Sequence, residues 1–185
     1  MGIWEESKNR LQELAGMSSP EGIKKLYVFD FDGTLMDTPL PEEGKIQWEE
    51  YYKESYPYVG WWSRTESLDS NAYDINPIPE VLNAYNKVKN EQDALVIMLT
   101  SRVKKVKPNI IEILRDHNLS FDKYMFKHGN KEKPERIDEI LEEYPNIEYI
   151  EIWDDRDKEI NLFNLWKSNK KNLNIIINQV IQNGE

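Results

Sequence analysis

The chain has 185 residues, the length of one ordinary core, since chains split into separate cores beyond about 100 to 200 residues. Its 39% hydrophobic content, with six Trp, ten Tyr and five Phe, excludes disorder along the whole length, and 31% charged residues make a very polar surface. A net charge of -10 excludes long-range attraction of a nucleic-acid backbone, so any such partner has to be gripped locally. The absence of cysteine removes disulfides, thiolate metal sites and cysteine nucleophiles together.

Trp4, Leu11, Leu14 and Ala15 fall close to one helical face, and Gly16 with Ser18-Ser19-Pro20 supplies a stop, so a docking helix is expected over 1–16. Charges run throughout Met1 to Ala15, unlike a signal peptide or a membrane anchor, and the expectation is a soluble, cytoplasmic protein with no membrane partner. Leu26 to Phe29 reads as a buried parallel strand ending at Asp30. From about 37 to 75 an aromatic, turn-rich stretch carries Trp48, Tyr51, Tyr52, Tyr56, Tyr58, Trp61 and Trp62 with no clear period, and it reads as a cap inserted after the first strand.

Pro79 opens a helix with Val81, Leu82, Tyr85 and Val88 on one face, and Ala94 to Leu99 reads as a second strand that ends at Thr100-Ser101-Arg102. Pro108 opens the next helix, with Ile110, Ile113 and Leu114 apolar, before a short strand over Lys123 to Phe126. Pro134 opens another, with Ile137, Ile140, Leu141 and Tyr144 at helical spacing, and Ile147 to Trp153 is a fourth strand ending at Asp154-Asp155. A helix through Ile160, Phe163 and Trp166 and a strand Leu173 to Ile177 close the series, within an Asn- and Lys-rich tail from Ser168. Strands alternating with helices require an α/β fold, a mostly parallel sheet covered on both faces, because parallel neighbours need right-handed crossovers. Such sheets bind ligands at the carboxyl ends of their strands, where Asp30, Asp32, Thr100 to Arg102, the segment after Phe126 and Asp154 to Arg156 are all expected.

Two carboxylates spaced i, i+2 at a strand end share one side of the backbone. Asp30 can attack phosphorus to form an aspartyl-phosphate, and Asp32 can protonate the departing oxygen and then activate water. Gly33 permits the turn. Carboxylates facing a phosphate dianion call for a divalent cation, and Mg²⁺ takes oxygen ligands: Asp30, the backbone carbonyl of Asp32 and one carboxylate of Asp154 or Asp155. Thr100 can bond a phosphoryl oxygen, Lys133 can screen the nucleophile, and Arg102 can clamp the phosphate, with Ser101, Arg156, Gly33 and Thr34 beside it.

The ordered run DFDGTL, LTSR, a lysine at a helix start and WDDR resembles the four motifs of the haloacid dehalogenase (HAD) superfamily. The resemblance implies a Rossmann-like three-layer HAD fold, with Asp30 as nucleophile, Asp32 as acid and base, Thr100 as the hydroxyl residue, Lys133 as the lysine and Asp154 or Asp155 as metal ligand. The second aspartate resembles the phosphatases of the superfamily, not the dehalogenases or P-type ATPases. In the insertion, Thr38-Pro39-Leu40-Pro41, Trp48, Gly60-Trp61-Trp62 and Leu68 resemble the Swiss Army Knife RNA-repair-like HAD family, as do the run from Ile113 to Lys127 and the DDR segment before Phe163. Glu159 departs from that pattern, which has a histidine there. HGNKEK with the DDR run also resembles the 3'-phosphatase half of phage polynucleotide kinase-phosphatases. These likenesses imply a Mg²⁺-dependent phosphomonoester hydrolase whose partner is a phosphorylated substrate, a nucleic-acid 3' end or a nucleotide.

Plainer readings stand beside these. Lys127, Lys131 and Lys133 are near neighbours, any of which can be a surface charge. Arg102 and Arg156 can pair with Asp154 or Asp155 instead of substrate, and most of the inserted rings are expected to build a small core, leaving Trp61 or Trp62 at the cleft, where stacking on a base is worth about 1 to 3 kcal/mol. His117 and His128 lie apart, which argues against a histidine metal site. A nucleotidase, a small-molecule phosphatase and a non-catalytic end-binding module remain as alternatives, and the oligomeric state is open.

Overall fold

The computed structural model describes residues 20–181; the helix expected over 1–16 lies outside them. Five strands, β1 (Lys25–Phe29), β2 (Ala94–Val103), β3 (Lys123–Lys127), β4 (Tyr149–Asp154) and β5 (Asn174–Gln179), form one sheet in the order β3-β2-β1-β4-β5. Every pairing is parallel. The helices are α1 (Pro41–Tyr52), α2 (Pro79–Val88), α3 (Lys107–Asp116), α4 (Lys133–Glu143) and α5 (Asp157–Ser168).

Side chains of a strand alternate between the faces of the sheet. Tyr27 and Phe29 of β1, Val96 and Met98 of β2 and Trp153 of β4 therefore join one core with Val81 and Tyr85 of α2 and Ile110 and Leu114 of α3. Leu26, Val28, Ile97, Leu99, Ile150 and Ile152 join the other, against Ile137 and Ile140 of α4 and Phe163 and Trp166 of α5. This is the three-layer, Rossmann-like arrangement. At the centre of the first core Phe29 stacks flat on Trp153, 4.4 Å between centroids and 3° between planes, which pins β1 to β4 just below the strand ends. The chain builds β1, β2 and β3 outward on one side, then crosses to lay β4 and β5 on the other. The two halves diverge between β1 and β4, where a doubly wound sheet opens its ligand crevice.

Two expectations change. β2 does not stop at Leu99: it runs through Val103, with a register shift against β3 between Leu99 and Val103, so Thr100 to Arg102 lie within an irregular strand end and not in the loop after it. The insertion, read as lacking a period, holds the 12-residue helix α1, opened by Pro41 and ended at Lys53 in the left-handed conformation (φ 60°). Only Gly44 and Trp48 of α1 are buried, so there is no broad apolar face to read as an amphipathic period. Trp48, Trp61, Leu68 and Tyr73 are buried together, and their core is continuous with Phe31, Leu35 and Met36 of the sheet-proximal loop. Among the described residues no helix is long and apolar enough to cross a membrane.

Gly44 is where α1 meets the Trp61 indole: a Cβ there would lie 2.1 Å from Cη2 and 2.3 Å from Cζ2. A buried ring cannot retreat from such a contact without moving its neighbours. Gly44→Ala is expected to cost about 1 to 3 kcal/mol in urea unfolding, against the usual gain for Gly→Ala inside a helix.

Candidate active site

β1 delivers Asp30 to the crevice, and its N–H donates to the Trp153 carbonyl at 3.0 Å, so parallel pairing extends one residue beyond the strand. The chain turns at once through Gly33 (φ 65°), whose N–H donates to the Met36 carbonyl at 2.9 Å, and Asp30 accepts from the Leu35 N–H at 3.2 Å through its own carbonyl. A side chain at position 33 would be strained in this conformation.

At the neighbouring strand end, β4 brings Asp154 and Asp155. Carboxylate oxygens of Asp30, Asp154 and Asp155 all lie within 4.8 Å of one another. Lys133, the first residue of α4, holds the group together: its Nζ donates to Asp30 Oδ1 at 2.7 Å and Asp154 Oδ2 at 2.5 Å, with only 2% of the side chain exposed. A capping box between Glu132 and Glu135 fixes the helix start that carries it. Of the three candidate lysines, Lys127 is exposed and Lys131 pairs with Glu139 on the surface. Lys133 is the one that reaches the acids.

Burial lifts the Asp30 carboxyl well above the usual carboxylate range; Lys133 opposes the shift, and the charges of Asp154 and Asp32 add to it. Burial also works against the charge on Lys133, but Asp30 and Asp154 outweigh it and leave the ammonium more basic than usual. Asp155 is pushed up to about 6, first by burial and then by the charge of Asp154.

The carboxylate of Asp32 stands apart from that trio. Arg102 grips it with Nε at 2.8 Å from Oδ2 and Nη2 at 2.7 Å from Oδ1, and the Thr38 hydroxyl donates to Oδ1 at 2.8 Å. The alternative pairing of Arg102 with Asp154 or Asp155 gives way to a bidentate fork on Asp32. The guanidinium is 2% exposed, and the insertion holds its other side: Nη1 donates to Ser67 Oγ at 2.7 Å and to the Trp62 carbonyl at 3.3 Å, while the Trp62 ring lies 5.2 Å away.

A cleft of about 640 Å³ runs over these groups, lined by Asp30, Asp32, Gly33, Trp62, Ser101, Arg102, Lys133, Asp155 and Arg156 among others. Four residues singled out in the sequence sit off that lining. Thr100 is fully buried; its hydroxyl accepts the Arg102 N–H at 3.1 Å, and Ser101 takes the position on the wall. Thr34 is also buried, donating to Asp30 Oδ2 at 3.3 Å or Asp155 Oδ1 at 3.4 Å. Trp61 is 4% exposed with its indole N–H on the Pro39 carbonyl at 3.2 Å, so Trp62, 39% exposed, is the tryptophan of the cleft. Asp154 is buried beneath Asp155, with Oδ1 accepting the Arg156 N–H at 3.1 Å.

The structure also adds two residues. Arg136 and Glu159, each 3% exposed, line the same cleft. Arg136 was findable as the residue one turn beyond Lys133 on the same helical face, and Glu159 as the departure from the family histidine.

The family described as "HAD domain family 1 in Swiss Army Knife RNA repair proteins" matches residues 50–185. The chain belongs to this HAD family. The match begins after Asp30 and Asp32, so those two stand on the DFDGTL motif and on the geometry above. An uncharacterized protein of Saccharomyces cerevisiae is 27% identical over 173 residues, covering 76% of this chain and 36% of its own length. Among solved structures, the Pnkp1/Rnl/Hen1 RNA repair complex contains a chain with TM-score 0.52 and 15% identity, covering 85% of this chain and 42% of that one, a likeness of fold. The HAD domain of the effector Lem4 from Legionella pneumophila aligns with TM-score 0.49 and 13% identity over 90% of this chain and 91% of its own. The chain thus spans less than half of the length of the yeast relative and of the repair-complex chain.

Two outcomes follow from the charges. Lys133→Met leaves two buried carboxylates uncompensated and is expected to lose about 3 to 5 kcal/mol in denaturant unfolding at pH 8. Asp155, raised above its unfolded value of about 3.9, favours the folded state most when protonated, below pH about 4, and that contribution is lost as pH rises through about 6. With chelator present, the Tm of Asp155→Asn relative to wild type should therefore climb from about pH 4 to about 6 and level off above that; a flat difference across this range would contradict the assignment.

Proposed function

We propose that this HAD protein is a phosphomonoester hydrolase that works through an aspartyl-phosphate on Asp30, and that its substrate is a terminal 3'-phosphate on a nucleic acid. The observation that carries the chemistry is the set of carboxylates at the ends of β1 and β4, with Lys133 bridging Asp30 and Asp154 on the floor of the cleft. An Asp30 oxygen attacks phosphorus as the ester oxygen leaves, and Asp32 gives that oxygen its proton. Water then attacks the phosphoryl group while Asp32 takes its proton, and the Asp30–phosphorus bond breaks. Arg102 and Thr38 hold the Asp32 carboxyl group in orientation for both steps; it enters the first in its acid form and regains that proton from the attacking water in the second.

The donor set fits Mg²⁺: three aspartates crowded within 4.8 Å offer hard oxygen ligands and carry more negative charge than one lysine balances. Asp30 and Asp155, with Asp154 behind them and the Asp32 carbonyl, would hold the ion, which supplies charge neutralisation for the phosphoryl oxygens. Seven cationic side chains line the cleft against five carboxylates, a local excess of positive charge on a protein of net charge -10. This supports an anionic substrate that is gripped at its end and not along its backbone. The family description, which names RNA repair, supports a nucleic-acid end, and Trp62 at the rim offers a face for a base.

Phosphate release should require Mg²⁺ and fall by about 10³-fold or more in Asp30→Asn, with folding unchanged; full activity in that variant would sink the mechanism. A panel of DNA and RNA carrying 3'- or 5'-phosphates, alongside free nucleotides, tests the substrate. Preference for mononucleotides would overturn the end-processing assignment.

A further inference from the structure

Arg136 and Glu159 occupy the part of the cleft wall that the proposed chemistry does not use. Both are 3% exposed, yet each keeps a buried polar atom, Arg136 Nε and Glu159 Oε2, without a hydrogen-bond partner among the described residues. Buried polar atoms are rarely left unpaired, because each costs about 1 to 3 kcal/mol. The two residues come from different helices, α4 and α5, and α5 carries Glu159 where the family pattern has a histidine. Arg136 is anchored at its other end, Nη1 donating to the Thr100 carbonyl at 2.9 Å. It sits one helical turn beyond Lys133, on the same face, and Lys133 touches the nucleophile.

We infer that Arg136 and Glu159 form a subsite for a sugar hydroxyl next to the scissile phosphate, the 2'-hydroxyl of a ribose 3'-phosphate. The unpaired atoms set the chemistry. An anion here is repelled by Glu159 and a cation by Arg136, whereas one hydroxyl donates its proton to Glu159 Oε2 and accepts from Arg136 Nε. The charges of Glu159 and Asp30 both act on Arg136, which puts the subsite within electrostatic reach of the nucleophile. Three residues of helix rise about 4.5 Å, which sets Arg136 close beside the lysine that bonds Asp30. A deoxyribose end leaves the two buried polar atoms unpaired, so the site discriminates against it. This inference rests on the proposed phosphatase reading and narrows it to ribose ends.

The test compares kcat/KM of the full chain with Mg²⁺ on three oligonucleotides that differ only in the last sugar: ribose, 2'-deoxyribose or 2'-O-methylribose, each with a 3'-phosphate. Sites that hydrogen-bond a hydroxyl reject analogues lacking it, so the ribose end is expected to exceed both others by about 10-fold or more. In Glu159→Gln the preference should shrink. In the double variant Glu159→Leu with Arg136→Met, which avoids leaving one charge buried alone, it should collapse to within about twofold. Equal wild-type rates on ribose and deoxyribose ends overturn the subsite while leaving the phosphatase reading intact, as does a preference that survives in both variants. A 2'-O-methyl end cleaved as fast as the ribose end also overturns it, since the donor to Glu159 is then not needed. Failure of wild type to release phosphate from any of the three overturns both readings.

Discussion

Three aspartates brought within 4.8 Å at the ends of two adjacent strands repel one another, and the fold tolerates them because Lys133 enters from the start of α4 and bonds two of them at once. Everything around the cleft serves that contact. The flat Phe29–Trp153 stack fixes the two strands beneath it, the capping box fixes the helix end, and pairing of the Asp30 N–H with Trp153 carries the strand register into the site. Because the ammonium is buried, the arrangement is stiff in charge as well as in shape: neither partner can be removed without leaving the other uncompensated in a low-dielectric setting.

Asp32 is stabilised by a separate apparatus. Its carboxylate belongs to Arg102, and Arg102 belongs equally to the insertion through Ser67 and Trp62. Two carboxylates two residues apart are thereby given different environments, one buried among acids and one forked by a guanidinium, which is the usual way a pair of like groups acquires different roles. Trp62 contributes both the carbonyl that holds Arg102 and the exposed ring at the rim, so one short segment of the insertion touches both the carboxylate and the mouth of the cleft.

Much of this was legible in sequence because it is local or periodic. Leu26 to Phe29 and Ile150 to Trp153 announce buried strands, and Asp30, Asp32, Asp154 and Asp155 announce themselves by following them. The two-faced core follows from handed crossovers, whereas the order β3-β2-β1-β4-β5 is not fixed by them alone. What was not legible depends on contacts across the chain. Nothing near Arg102 says that its partner is Asp32, 70 positions earlier, and nothing in Trp61-Trp62 says which ring turns inward. Thr100 looks like a ligand because it ends an apolar run, but β2 continues through it and turns its hydroxyl to its own backbone. Helix α1 was missed because only Gly44 and Trp48 face the core.

The buried guanidinium of Arg102 has one more consequence. An insertion that swung away from the sheet as a lid would strip Arg102 of Ser67 and of the Trp62 carbonyl, exposing a guanidinium that is now buried against Asp32. The insertion is therefore latched by charge as well as by its rings, and its loosening and that of Asp32 are a single event. Local opening of this region should resemble the release of a cooperative unit more than the swing of a hinge.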